Sequence, residues 1–246
     1  MLTVDLDELA LAPGEVCVDV GCGEGRHTLA TYLLEGVQAL GIDLSEQDLG
    51  TAAQRSEDMA PHAPGGEINF AAGDATGLPL SDESVDAAIA SEILEHIPNY
   101  LAVLEELWRV LKPGGRLCIS VPRQWPEWIC WQLSDGYRTT PGGHIRIFDA
   151  THLAREVVRQ GFVLTGRGSA HALHVPYWWL KCLCWRSDPE PWPVRLYHQL
   201  LVWDLMKRPW ITRAIDALLN PVMGKSIVLS FTKPAVQQEA PSERHT

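Results

Sequence analysis

Val16-Cys17-Val18-Asp19-Val20 is a short apolar, β-branched run that empties into Gly21-Cys22-Gly23-Glu24-Gly25. Such a run bounded by glycines reads as a buried strand. Glycines at alternate positions let a backbone approach a ligand closely, and they aim the next helix N-terminus at it. A dinucleotide fingerprint would carry its third glycine one residue later, where this chain has Arg26. Asp19 instead offers an acceptor to an amino-acid-bearing ligand.

Outward from that loop, strand and helix alternate. A helix is predicted over 25–35 and a strand over 37–42, ended by Asp43. Ser45 caps the next helix with Asp48 three residues on. Strands follow over 68–72 and 85–90. Pro98 opens a helix whose Leu101, Leu104, Leu107, Trp108 and Leu111 recur at helical spacing. Lys112-Pro113-Gly114-Gly115 ends it before a strand over 116–121. A helix over 149–160, a strand over 162–166 and a last strand over 226–232 complete the pattern. Alternation of this kind predicts a Rossmann-like α/β domain, a parallel sheet with helices on both faces.

The strand ends carry the chemistry. Asp43, twenty positions after Gly23, can take both hydroxyls of a ribose in a bidentate hydrogen bond, with Leu44 beside it. Gly73-Asp74-Ala75 offers a carboxylate to an adenine amine and a backbone N–H to a ring nitrogen. Together the three strand ends suit methionine, ribose and adenine groups.

Here the chain resembles the class I S-adenosylmethionine (SAM) dependent methyltransferases, in particular the small-molecule group that includes ubiquinone and menaquinone methylases. The resemblance rests on the glycine loop, Gly41-Ile42-Asp43, Gly73-Asp74-Ala75 with Leu78-Pro79-Leu80, Asp86, Leu94-Glu95-His96-Ile97 and Leu111-Lys112-Pro113-Gly114-Gly115. It implies SAM as cofactor and a seven-stranded sheet with its last strand antiparallel. It also implies that Asp19, Gly21, Gly23 and Gly25 surround the methionine part, Asp43 the ribose, and Asp74 with Ala75 the adenine. Ser91 and Glu92 would border the sulfonium.

Two histidines are candidate bases. His144 lies in Gly142-Gly143-His144-Ile145-Arg146-Ile147-Phe148, where the glycine pair can turn it into a site. A structural hydrogen bond is its competing reading. His96 belongs to a motif shared across acceptor types, which favours a structural or cofactor-adjacent role. Cys22, between loop glycines and lacking a base partner, reads as packing. No metal is expected.

The 246 residues suit one large domain over 1–232 with an acceptor-side loop over 123–148, and a disordered polar tail is expected over 233–246. The net charge of −11 disfavours nonspecific nucleic-acid binding. Six cysteines without zinc spacing, and no visible signal peptide, lead to the expectation of a reduced, cytoplasmic protein. Over 169–225 the alternation breaks, and six of the ten tryptophans fall there: Trp178, Trp179, Trp185, Trp192, Trp203 and Trp210. This segment reads as an inserted helical cap, either a packed lid or a peripheral membrane contact. The expected activity is methyl transfer to a small or lipid-linked acceptor, most readily at a hydroxyl. A SAM-binding scaffold without catalysis is the alternative, and Arg26 opposes a nicotinamide oxidoreductase.

Overall fold

The computed structural model describes residues 2–235. Its order is α1 (Leu6–Leu9), β1 (Val16–Val20), α2 (Arg26–Tyr32), β2 (Gln38–Asp43), α3 (Glu46–Met59), β3 (Glu67–Ala72), β4 (Val85–Ser91), α4 (Tyr100–Val110) and β5 (Leu111–Pro122). Then come α5 (Gln124–Leu133), α6 (Asp135–Arg138), α7 (Ala150–Arg159), β6 (Val163–Ala170), α8 (His174–Leu183), α9 (Trp192–Lys207), α10 (Trp210–Met223) and β7 (Ser226–Thr232).

The seven strands form one sheet in the order β3-β2-β1-β4-β5-β7-β6. All neighbours pair parallel except β7, which runs antiparallel to both β5 and β6. One face is sealed by α4 and α7, whose Leu104, Leu107, Leu153 and Val157 are buried with Phe162 and Phe231. The other face packs Val4, Leu6 and Leu9 of the N-terminal segment over Cys17, Ile89 and Cys118. Two-sided burial of this kind requires apolar runs rather than alternation in the central strands, and β1 and β4 have them.

The N-terminal segment is pinned through α2. His27 accepts the backbone N–H groups of Thr3 and Val4 on Nε2 at 3.2 and 3.3 Å. Burial, with Arg26 beside it, pushes the His27 imidazole down to about 3, so it stays neutral and able to accept.

Several boundaries differ from the sequence reading. Helix α2 stops at Tyr32, because the chain turns at Leu34, whose N–H reaches Thr31 O, and at Gly36 in the left-handed region. Strand β6 runs on to Ala170, since β7 supplies partners along its whole length despite Gly166 and Gly168. Segment 123–148 is helical in its first half, where α5 and α6 lie, and irregular from Thr139 to Phe148. Most clearly, the tail does not start at Lys233. The Lys233 backbone exchanges hydrogen bonds with Gly114 and Gly115, and its buried ammonium donates to Trp108 O and Leu111 O. That places a cation at the carbonyl end of α4, where the helix dipole favours it. The remainder of the expected tail, 236–246, lies outside the described residues.

The cap is helical, as its composition suggested, but its aromatic side chains divide between two faces. Trp178 and Trp179 of α8 turn inward: Trp178 packs on Tyr137, and Trp179 donates to Pro126 O at 3.2 Å. Lys181 pairs with Glu190 at 2.7 Å. Trp192 and Trp210 point out, 69% and 79% exposed, together with Met206 and Leu218. Among the described residues no helix is long and apolar enough to cross a membrane.

Candidate active site

The glycine loop leaves β1 with Gly21, Gly23 and Gly25 all at positive φ. At Gly21 any Cβ would collide with the Ile93 side chain, whereas nothing stands within 4 Å of a Cβ at Gly23. The loop is therefore tight on one side and open on the other, and glycine meets both demands.

Two carboxylates hold it. Asp19, buried at the end of β1, accepts from Thr28 N at 3.0 Å and Thr28 Oγ1 at 2.8 Å on the first turn of α2. Burial pushes its carboxyl up to about 6, against the pull of the Thr28 hydrogen bonds. Asp43, at the end of β2, accepts Gly23 N on one oxygen at 2.8 Å and Ser45 N on the other at 2.9 Å. At the end of β3, Asp74 accepts both Thr76 N and Thr76 Oγ1 at 2.8 Å, which holds it below its ordinary value.

A cavity of about 670 Å³ opens over these ends, lined among others by Gly21, Asp43, Leu44, Asp74, Ala75 and His96. Asp19, Gly23, Gly25 and Ser91 stand behind or beside this lining: Gly25 packs toward Ala52, and Ser91 Oγ meets Ser120 Oγ at 2.9 Å. Glu92 lines the cavity and also a smaller one of about 220 Å³, shared with Thr3, Arg26, His171, His174 and Lys225. Its backbone is left-handed, a strained conformation held by its N–H on Ser120 O and its carboxylate on Ser120 Oγ.

His96 lines the larger cavity as well, and His144, which does not, stands behind His96. His96 Nδ1 lies 3.2 Å from Gly143 O, and its side chain is 35% exposed. His144 is more enclosed, with its ring 5.0 Å from that of His96. Its Nδ1 lies 2.7 Å from Glu127 Oε1, and Tyr137 OH donates to the same carboxylate. Burial raises the Glu127 carboxyl, but the His144 and Tyr137 hydrogen bonds outweigh it and hold the group below its ordinary value. Glu95, fully buried beside both rings, is pushed well above the ordinary carboxylate range by burial and by the nearby Glu92.

Residues 18–119 match a family described as a methyltransferase domain. Over those residues the chain is similar to the SAM-dependent methyltransferases. An uncharacterized 37.1 kDa protein in transposon TN4556 of Streptomyces fradiae is 38% identical over 163 residues, 65% of this chain and 43% of that protein. An O-methyltransferase of Pyrenophora dematioidea is 35% identical over 115 residues, 47% of this chain and 42% of that one. The chain thus spans less than half the length of these relatives. A solved geranyl diphosphate methyltransferase in complex with SAM shares the fold at TM-score 0.61 and 15% identity, covering 93% of this chain and 82% of that one.

Sequence reasoning alone does not single out Glu95, Glu127 or Tyr137 of this chain. Glu127 had a signal, being the one charged residue in the aromatic helix Gln124–Leu133. Glu95 sat beside the chosen His96 in the quoted motif and was passed over.

The Asp19 carboxyl generates a pH prediction. Raised from 3.8 to about 6 on folding, it retains a proton that the unfolded chain has already lost between those values. Its contribution to stability is therefore present in full below about pH 4 and is lost as pH rises through about 6, amounting to about 3 kcal/mol. Asp19→Asn keeps an oxygen for Thr28 and removes the penalty. Urea unfolding should show the variant gaining on the wild type by that amount between about pH 4 and 7.5. A difference that stays constant across this window would show that the folded chain does not perturb Asp19.

Proposed function

We propose that the protein catalyses transfer of the methyl group of SAM to a hydroxyl of a small or lipid-linked acceptor. The observation that carries this reading is a cavity with two unlike faces: strand-end carboxylates on one, and an imidazole backed by a second, carboxylate-held imidazole on the other. The residues present fit the cofactor. Asp43 uses one lone pair of each oxygen on backbone N–H groups and keeps the others for ribose hydroxyls. Asp74 leaves its second oxygen for an exocyclic amine. Buried Asp19 and exposed space at Gly23 suit an ammonium-bearing tail, with Arg26 near its carboxylate.

When bound, SAM supplies a methyl group activated by a sulfonium charge. The acceptor oxygen takes that methyl as the sulfur–carbon pair returns to sulfur, and the hydroxyl proton must leave. In our reading His96 and His144 form the face that receives it. Each Nδ1 is a donor, to Gly143 O and to Glu127 Oε1, so each Nε2 carries a lone pair. Glu127 fixes the His144 ring, and Tyr137 fixes Glu127. A scaffold that only binds SAM would have no use for oriented imidazoles, which favours the enzyme. The oxygen acceptor is supported by the likeness to the Pyrenophora O-methyltransferase.

For a lipid-linked acceptor the support is the outward face of α9 and α10, where Trp192, Trp210 and Leu218 are exposed among Arg195, Lys207, Arg208 and Arg213. Trp178, Trp179 and Lys181 are engaged within the domain and are not part of this proposed surface.

Three measurements test these readings. Asp43→Ala should weaken S-adenosylhomocysteine binding by about 2–4 kcal/mol in calorimetry, and Asp43→Asn by less; unchanged affinity removes the cofactor assignment. His144→Asn should slow single-turnover methyl transfer about a hundredfold or more, with cofactor affinity kept; a rate within a few fold of wild type returns His144 to a structural role. The protein should sediment with anionic liposomes in a salt-sensitive way, and Trp192→Ser with Trp210→Ser should release it. Sedimentation that ignores lipid composition and both substitutions argues for a water-soluble acceptor.

A further inference from the structure

Glu95 stands apart from the other carboxylates around the cavity. It is fully buried, and neither of its oxygens has a hydrogen-bond partner among the described residues. Oε1 faces two imidazole nitrogens, His96 Nε2 at 4.0 Å and His144 Nε2 at 3.9 Å. Neither distance is a hydrogen bond.

The tautomers explain why. A carbonyl oxygen can only accept, so Gly143 O requires a proton on His96 Nδ1. Glu127, already accepting from Tyr137 OH, likewise takes its 2.7 Å bond from His144 Nδ1–H. In the neutral tautomer each Nε2 then carries a lone pair, and both lie 3.9–4.0 Å from an oxygen of the buried, unpartnered Glu95 carboxyl. A cation placed among these three atoms would take a bond from each.

We propose that Glu95, His96 and His144 hold a divalent first-row transition-metal ion. One donor atom from each residue lies within 4.8 Å of the other two. Bonds of about 2.0–2.2 Å to a central ion bring donors to about 3–3.5 Å from one another, so the donor pairs close by up to about 2 Å. The outer partners match what ligating histidines use: one ring is backed by a carboxylate and the other by a backbone carbonyl, each fixing the tautomer and the ring plane. Two imidazoles with one carboxylate select ions such as Zn²⁺, Fe²⁺ or Mn²⁺ over the oxygen-preferring Mg²⁺ and Ca²⁺.

The surrounding charge agrees. Glu92 and Glu127 both act on Glu95 as like charges, and Lys225, the cation that acts on Glu95 and Glu127, stands over the Trp178 ring at 5.6 Å. His96 lines the cavity, so the side of the ion away from Glu95 would be open to it. Three protein donors leave positions for water or an acceptor hydroxyl, and an ion there lowers the hydroxyl pKa. That last consequence rests on the methyl-transfer reading, and in it the ion, rather than the two imidazole lone pairs it occupies, activates the hydroxyl. The binding itself does not rest on that reading.

The test uses the full chain stripped with a chelator. Titrated with Co²⁺, it should develop visible d–d absorption that saturates at about one ion per chain, and Zn²⁺ should displace it. Glu95→Gln and His144→Asn should each weaken Zn²⁺ binding at least tenfold, and Glu127→Gln about 10–100-fold, with S-adenosylhomocysteine affinity unchanged. Should a variant fail to fold, Co²⁺-induced shifts of the wild-type His96 and His144 imidazole resonances, absent at His62 and His152, make the same point. Absence of binding at micromolar metal overturns the proposal, as does equal affinity in the ligand variants or shifts at surface histidines alone. Metal-free protein that methylates at full rate overturns the ion's part in lowering the hydroxyl pKa while leaving the methyl-transfer reading intact. Stoichiometric binding without methyl transfer to any hydroxyl does the reverse.

Discussion

Two carboxylates at neighbouring strand ends hold the glycine loop, and the geometry around the cavity follows from that. Asp19 anchors the start of α2 through Thr28, and Asp43 takes one backbone N–H from the loop and another from the turn into α3. A loop with three left-handed glycines would otherwise have many conformations, since glycine gives up the most freedom on ordering. Charge-assisted bonds to backbone N–H groups select one of them. The cost is a carboxyl buried at Asp19, a group that a cation would discharge. The same interaction that orders the loop therefore leaves it receptive to an ammonium group.

Much of the fold was legible because its signals are local. The apolar runs of β1 and β7 read with their observed bounds, and Ser45 caps α3 through the expected side-chain bond. What escaped was set by partners distant in the chain. Strand β6 is long because β7 pairs with all of it, and its own glycines and exposed positions carry no periodic signal. Lys233 looked like the start of a polar tail, since nothing nearby in sequence reveals that its ammonium closes the end of α4 more than a hundred residues earlier. On the site itself, Asp43, Asp74, Ala75 and His96 could be read from strand ends and motif, and they do line one cavity. Glu127 could not be paired with His144 from sequence, because α5 and the 139–149 connection meet only in three dimensions.

The cap shows how composition can be right and still point to the wrong residues. Tryptophan beside lysine at 178–181 looked interfacial, yet the Trp179 indole N–H has a buried acceptor and Lys181 has Glu190. Clustering in sequence says that large rings are present. Which of them face inward depends on the helix that crosses them, and α8 lies against α5 while α9 and α10 turn apolar side chains outward.

The two walls of the cavity are therefore built on different principles. The strand-end wall uses short segments that each follow a β-strand, so its residues sit at recognisable spacings and a family pattern over 18–119 captures them. The opposite wall presents His96, and behind it stand Glu95 of the same motif, Glu127 from α5, Tyr137 from α6 and His144 from the connection to α7. None of the last three lies within the matched segment. Altering α5, α6 or the connection can change what reaches the imidazoles without disturbing Asp43 or Asp74, since the sheet alone positions those. In the proposed reading such a division would let one nucleoside-binding half serve many acceptors and would place acceptor specificity in 123–148, where His144 is held by a carboxylate and a tyrosine that the strand ends never touch.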